Sequence, residues 1–357
     1  MAEHRHRSDL RSPIVWLGQS VDTSSICSDH LVLNGMPFLT SLGCAIRKPS
    51  LKRTHFHADL RRKLGITGPL MVDSGGFALS TKETCRWTWR EVAEQMSRID
   101  ADIFVSLDYP PHLSDSKERR WKKINASMRN FGRLSEVVKD KIVMPVIHGR
   151  TVPEIELSIR LLSEYGKKFG WVGLGGMVPL LQHRRAAYEV SSMTAEVFMG
   201  AALSLIRQTF PDSMLHVFGA GGTRTFPAVY ALGADPGDSI GWRQAAGFGS
   251  IFLPLQSQRA VRWNRKNGAP RKTLSEADLS QLQRCGCSIC MENPMIGAKV
   301  KAFRRGFYER AIHNAWTISN QFRAWPKKRA CLLDAVADGA LGPAWSRAAQ
   351  MRRRDTV

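Results

Sequence analysis

The stretch PLMVDSGGFALSTKETCRWTWREVAEQMSRIDADIFVSLDYP at 69–110 decides the fold. It opens on an apolar, β-rich run that ends in an acid and two glycines. It continues into an amphipathic segment (WTWREVAEQMSRI) with apolar residues at helical spacing, then closes on a second apolar run reaching Asp108. Strand, helix and strand in that order make one crossover unit, and the crossover leaves its two strands parallel. The rhythm continues in KIVMPVIHG at 141–149, GWVGLGGM at 170–177, MLHVFGAGG at 214–222 and the segment around GADPGDSIGW at 233–242. Helical stretches such as ASMRNFGRLSEVVKD and VPEIELSIRLLSEYG lie between the runs. LVLNGMPFLTSLG at 31–43 is a candidate seventh strand, and the eighth is placed only loosely.

An open doubly wound sheet and a closed barrel both follow from such alternation. The polar residues separate them. Asp73, Asp108, His148, Gly175, Gly219 and Asp238 all stand at the C-terminal ends of their apolar runs. In a barrel they would converge on one mouth, the face where the active sites of TIM barrels lie. The expected architecture is therefore α/β: a (β/α)8 TIM barrel over residues 1–250, then a basic region over 251–357 that carries a cysteine cluster and C-terminal helices packed on the barrel.

With 43% hydrophobic and 23% charged residues among 357, the composition excludes disorder, collagen and coiled coil as whole-chain readings. The balance of 52 Lys and Arg against 31 Asp and Glu, a net charge of +21, implies a polyanionic partner. Beyond position 250 there are 20 basic and 7 acidic residues, so +13 of the excess is regional. That region favours a nucleic-acid face, with Arg262, Arg265, Lys266, Arg271, Lys272, Arg304 and Arg305 as contributors. A solvated basic surface is the alternative for each alone. No stretch reaches the ~20 apolar residues of a membrane span, and the start MAEHRHRSDLRS lacks the apolar core of a signal peptide. A cytoplasmic protein without a membrane partner is expected.

Three of the seven cysteines form Cys285-x-Cys287-x2-Cys290, too tight for a disulfide framework and suited to a tetrahedral zinc ion. His313, in FYERAIHNAW, is the candidate fourth ligand. A Cys3His set leaves no open position, so one structural Zn²⁺ per chain is expected, without chemistry of its own. Reduced core thiols and an ordinary surface histidine are the other readings.

DSGGF at 73–77, the strand-end Asp108, GLGGM at 173–177, HVFGAGG at 216–222, GADPGDS at 233–239 and the C-x-C-x2-C…HN cluster follow one another in an order that resembles the tRNA-guanine transglycosylase superfamily, over about residues 65–315. That superfamily is similar to a TIM barrel with a zinc-binding insertion and exchanges guanine in nucleic acid for a 7-deazaguanine. Base exchange without strand hydrolysis suits a carboxylate nucleophile that forms a covalent sugar intermediate. The resemblance implies Asp238 as that nucleophile and Asp73 as general acid/base. It implies Asp108 as reader of the base's N–H edge, the backbone of Gly176 and Met177 at the carbonyl side, and Phe77 and Phe218 stacked on the ring. Plain core packing is the alternative for the two phenylalanines. Strand-end aspartates also serve as helix N-caps, and Asp235 is the residue expected in that role.

The departures matter as well. Ala78 follows DSGGF where the tRNA enzymes usually carry Gln, and His148 followed by Gly149 replaces another Gln, changing the edge of the base pocket. PFLTSLGCAIRKP is unlike the corresponding segment of the bacterial tRNA enzymes, and the remaining length does not accommodate an RNA-binding domain of the archaeal kind. Together with the DS-x-GW run and the basic C-terminal third, these features look like the branch that inserts 7-cyano-7-deazaguanine or a derivative into DNA. The first expectation is thus a DNA-guanine transglycosylase, a pentosyltransferase that takes a 7-deazaguanine base as its small-molecule substrate. A tRNA-guanine transglycosylase is the alternative. A catalytically silent, zinc-containing nucleic-acid-binding subunit is a third reading, and it would need neither Asp73 nor Asp238. Homodimers occur among relatives, and helper proteins are a further candidate partner.

Overall fold

The structure is a computed structural model of the chain, described at residues 14–21, 33–43, 60–76, 88–262, 272–321 and 328–354. Among the described residues nine strand segments form one sheet: β1 (Ile14–Gly18), β2 (Phe38–Ser41), β3 (Leu70–Asp73), β4 (Ile103–Val105), β5 (Ile142–Met144), β6 (Val146–Ile147), β7 (Trp171–Leu174), β8 (Met214–Val217) and β9 (Pro236–Ser239). Their order is β5-β4-β3-β2-β1-β9-β8-β7-β6, and the pairings are parallel. The two edge segments are halves of a single run, 142–147, interrupted at Pro145, which has no N–H to give to a ladder. Its first half pairs with β4 and its second with β7, and the Pro145 carbonyl accepts from the Gly173 N–H at 2.8 Å. The sheet thereby closes into a barrel of eight runs. The eighth is β1, which pairs with β2 on one side and β9 on the other. Helices follow the strands, as the sequence rhythm predicts: Trp89–Arg98, Lys117–Val137 and Val152–Ser163 cover the three segments read as amphipathic.

Side chains alternate between two apolar environments, as a closed sheet requires. Trp16, Leu39, Met71, Ile103, Val105, Met144, Val146 and Trp171 form the barrel's interior, where the Trp16 and Trp171 rings meet edge-on at 6.2 Å. Leu17, Val72, Phe104, Val172 and Leu215 face the helices in a separate, larger core. The apolar interior fills the lower barrel, so the polar inward positions further along the strands gather at the C-terminal mouth.

Beyond β9 come a short antiparallel pair, β10 (Ser250–Ile251) and β11 (Arg259–Ala260), and the helices Glu276–Gln283, Ser288–Glu292, Ile296–Arg305 and Phe307–Asn320. The last two helices, Arg329–Ala337 and Pro343–Arg354, pack on Thr225–Ala231 and Ala195–Thr209 of the barrel. Asp235 is structural, but not as an N-cap. It precedes β9, accepts from the Leu215 N–H at 2.8 Å, and pairs with Arg207 at 2.7 Å and Arg329 at 2.8 Å. Part of the C-terminal charge is likewise spent internally: Arg259 pairs with Asp278 at 2.6 Å, Arg310 donates to the Ala246 carbonyl at 2.8 Å, and Lys299 donates to the Gln283 carbonyl at 3.0 Å. Among the described residues no single helix is long and apolar enough to cross a membrane.

Candidate active site and metal centre

Asp238 lies near the end of β9, and its Oδ1 is held twice. His216, an inward residue of β8, donates from Nε2 at 3.0 Å, and the Gly219 N–H donates at 2.8 Å. Among the described residues its Oδ2 accepts nothing, which leaves one carboxylate oxygen facing the mouth in a fixed orientation. His216 is fully buried.

Asp73 ends β3 and accepts from the Ser41 hydroxyl at 2.6 Å and the Gly75 N–H at 3.1 Å. Burial first, and then the negative charge of Asp108, push its pKa up to about 7, against the two hydrogen bonds; the charge of Asp238 adds to the rise. Asp73 therefore lies within the electrostatic reach of both Asp108 and Asp238. Asp73 is poised to hold a proton near neutral pH, the property a general acid/base needs.

Asp108 forms the third side. Its Oδ2 meets His148 Nε2 at 2.6 Å, both side chains being buried. Glycines make this approach feasible: a Cβ at Gly76 would stand 1.9 Å from Asp108 Oδ1, and one at Gly175 would stand 2.3 Å from His148 Cε1. Beneath them the buried Arg150 donates to the carbonyls of Gly176 and Pro111, joining the loops after β4 and β7. Its backbone N–H donates to Glu154 at 2.8 Å.

The raised Asp73 pKa gives a stability prediction with a definite sign. A carboxyl that binds its proton more tightly when folded stabilises the native state at low pH, and this contribution is lost as pH rises from about 4 to about 7. Above that window the ionised group costs on the order of a few kcal/mol. Asp73→Asn keeps an oxygen for Ser41 and removes the charge. The variant should melt at a higher temperature than wild type at pH 8, with the gap narrowing towards pH 4. A variant less stable than wild type at pH 8 would contradict the electrostatic account.

The cysteine cluster assembles as expected. Nδ1 of His313 is 3.6 Å from the Cys285 sulfur, 3.4 Å from Cys287 and 3.8 Å from Cys290, and the four ligand atoms lie within 4.8 Å of one another. Tetrahedral zinc with Zn–S of ~2.3 Å and Zn–N of ~2.0–2.1 Å separates S from N by about 3.5 Å. The set can therefore bind one zinc ion. His313 donates from Nε2 to the Phe252 carbonyl at 2.9 Å, which turns the Nδ1 lone pair towards the thiolates. The neighbouring Asn314 accepts from the Phe252 N–H at 2.6 Å and donates to the carbonyls of Trp242 at 3.0 Å and Ser250 at 3.2 Å. The metal helix is thus stapled to the segment that follows Asp238.

Of the other predicted residues, Phe218 lies at the mouth, 4.5 Å from the His216 ring. Met177 is buried and begins the helix Met177–Gln182, with Gly176 at φ 76° before it. Gly149 abuts Ile155. Arg262, Lys272, Arg304 and Arg305 are exposed, although Arg305 pairs with Glu309 at 3.2 Å. Phe77, Ala78, Arg265, Lys266 and Arg271 fall outside the described residues. His216, Ser41 and Arg150 were not foreseen as site residues. For His216 a signal existed, because it shares inward parity with Phe218 along β8.

Comparison with known proteins identifies a family for the chain. The family model described as queuine tRNA-ribosyltransferase matches residues 38–325. Among similar curated proteins is a tRNA-guanine(15) transglycosylase of Methanosarcina mazei, 28% identical over 198 residues, which covers 55% of this chain and 38% of the relative. Proteins of the same name from Pyrococcus abyssi (25% identical over 272 residues, 76% of this chain and 42% of the relative) and Thermoplasma acidophilum (25% over 218 residues, 60% and 32%) are also similar. The chain thus spans about two fifths or less of the length of these relatives. With the match covering most of the barrel and the metal cluster, the chain belongs to the queuine tRNA-ribosyltransferase family.

Proposed function

We propose that this protein exchanges guanine in a nucleic acid for another guanine-like base through a covalent Asp238–sugar intermediate. The observation that carries the reading is the gathering of Asp73, Asp108 and Asp238 at one barrel mouth, with Asp73 partly protonated at neutral pH and one oxygen of Asp238 held in place. In the first half of the reaction Asp238 Oδ2 attacks C1′ of the target nucleotide. The C1′–N9 bond breaks, its electron pair goes to guanine, and the proton of Asp73 neutralises the departing base. In the second half the incoming base gives its N9 proton to Asp73 and N9 attacks C1′, expelling the carboxylate. Two displacements retain configuration. Asp108 and His148 read the base edge, with Phe218 against the ring. Cys285, Cys287, Cys290 and His313 would hold a zinc ion, which would supply rigidity to the region after residue 250.

For the polymer, the relatives' names support tRNA above the DNA expected from the sequence. The DNA reading keeps one specific observation, the His148–Asp108 pair where the resemblance places a glutamine. A 7-deazaguanine remains the proposed incoming base. A silent subunit is disfavoured, since it has no use for Asp73 and Asp238 together, with the Asp73 carboxyl raised beside two further acids. Incubating the protein with labelled guanine and either a tRNA transcript or duplex DNA tests the reading. Label is expected in tRNA. Label only in DNA would reverse the choice of polymer, and label in neither would sink the exchange.

A further inference from the structure

The charge count directs attention to residues beyond 250, yet among the described residues a dense basic run on the mouth side of the barrel lies elsewhere. KERRWKK at 117–123 opens the helix Lys117–Val137, which follows β4 and Asp108. The helix is anchored at the strand end by its middle: the Ser127 hydroxyl accepts from the Tyr109 N–H at 2.8 Å, and Asn130 donates to the Leu107 carbonyl at 3.1 Å. Residues 117–123 precede Ser127 by four to ten positions, so at 1.5 Å per residue they project about 6–15 Å beyond the rim along the helix axis. The ridge is braced from below. Asp115, buried in the loop, pairs with Lys123 at 2.6 Å and Arg119 at 3.1 Å, and Glu154 pairs with Arg120 at 2.8 Å.

Two groups of this ridge are left for a partner. Lys117 and Lys122 are exposed and make no ion pair among the described residues. Trp121 is 42% exposed, with the Lys117 ammonium 5.2 Å from its ring centroid. An exposed aromatic ring with an ammonium at its face and a second exposed lysine next in sequence, on the first turns of a helix that starts on the mouth side of the barrel, has the chemistry of a strand-binding platform, where phosphates meet ammonium groups and a base meets the indole face.

We propose that the ridge formed by Lys117, Trp121 and Lys122 docks the sugar-phosphate backbone of the substrate nucleic acid beside the exchanged nucleotide, with an unstacked base lying on Trp121. This rests on the reading of the mouth as a nucleic-acid base-exchange site. The ridge lies outside the C-terminal region to which the sequence assigns phosphate contacts, on the helix whose middle is tied to the residues flanking Asp108.

The test uses the full-length protein, a fluorescein-labelled tRNA transcript and a labelled DNA duplex, with affinity followed by anisotropy across a salt series. For the polymer that wild type binds, Lys117→Ala/Lys122→Ala should lower the slope of log K against log salt by about two and weaken binding roughly tenfold or more at low salt. Trp121→Ala should weaken binding roughly tenfold without changing the slope. The control pair Lys139→Ala/Lys168→Ala, exposed before β5 and β7 at the opposite end of the barrel, should change neither. Wild-type affinity and slope in the Lys117/Lys122 variant would overturn the proposal, as would an equal loss in the control pair. Labelled-guanine exchange by wild type separates the two readings. Exchange with an unaffected ridge variant removes only the ridge, whereas no binding and no exchange by wild type removes the site reading and the ridge with it.

Discussion

Asp238→Asn is expected to yield no enzyme–sugar adduct on denaturing gels and to cut base exchange on the order of 10⁴-fold or more, as for other nucleophile replacements. The substitution is chosen for what it preserves. Asn Oδ1 can accept the same hydrogen bonds from His216 Nε2 and the Gly219 N–H that hold the aspartate, so the loop keeps its shape. The atom replaced is Oδ2, and the amide nitrogen that takes its place has no lone pair available to attack C1′. The defect should therefore lie in chemistry, with nucleic-acid binding close to wild type. An adduct that survives Asp238→Asn would remove this residue from its role and point to Asp73 or Asp108 as the attacking group. Loss of adduct together with loss of the fold would be exposed by thermal melting, and Asp238→Glu would then separate the cases, because it keeps the charge and displaces the oxygen.

Much of this site could be read from the chain because its chemistry is concentrated where periodic strands end. Asp73, His148 and Asp238 were locatable as the polar residues that terminate or closely follow an apolar run, and the barrel makes such positions neighbours whatever their separation in sequence. β1 was missed for a related reason. IVWLG has strand composition, but no amphipathic helix is recognisable before β2, so the strand–helix rhythm gave it no partner. His216 and Ser41 escaped because their importance lies in what they touch. A histidine within MLHVF reads as one polar residue in a strand until β9 places Asp238 3.0 Å away. Charge was the least transferable signal. A net count cannot separate Arg329, which pairs with Asp235, or Lys299, which donates to helix-end carbonyls, from cations left in solvent. Nor did it single out the ridge at 117–123, whose position above the mouth depends on where along its length the helix is anchored.

Cys287→Ser should reduce zinc from one equivalent per chain to a small fraction and lower the melting temperature markedly. Cys331→Ser, at an exposed cysteine remote from the cluster, should change neither. Cys287 is buried and would supply one of the four ligands of a zinc ion. Its sulfur also accepts from the Cys290 N–H at 3.4 Å at the start of the helix Ser288–Glu292. A serine hydroxyl is shorter, harder and protonated at neutral pH, so three good ligands remain where a closed site needs four. Structural zinc contributes folding free energy directly, ~10–16 kcal/mol in isolated zinc-finger peptides, and a fraction of that is a large share of the 5–15 kcal/mol that holds a typical domain together. The damage should also travel. Asn314, adjacent to His313, holds the backbone at Trp242, Ser250 and Phe252, and Trp242 in turn donates to the Gly18 carbonyl at 3.0 Å, bracing β1 next to β9. Base exchange should therefore fall at temperatures where the variant is still folded by circular dichroism, with the loss in kcat exceeding any change in the salt slope of binding. A Cys287→Ser protein that keeps one zinc per chain would show the cluster to be ligated differently, and one that loses zinc while retaining full exchange would uncouple the metal from the mouth.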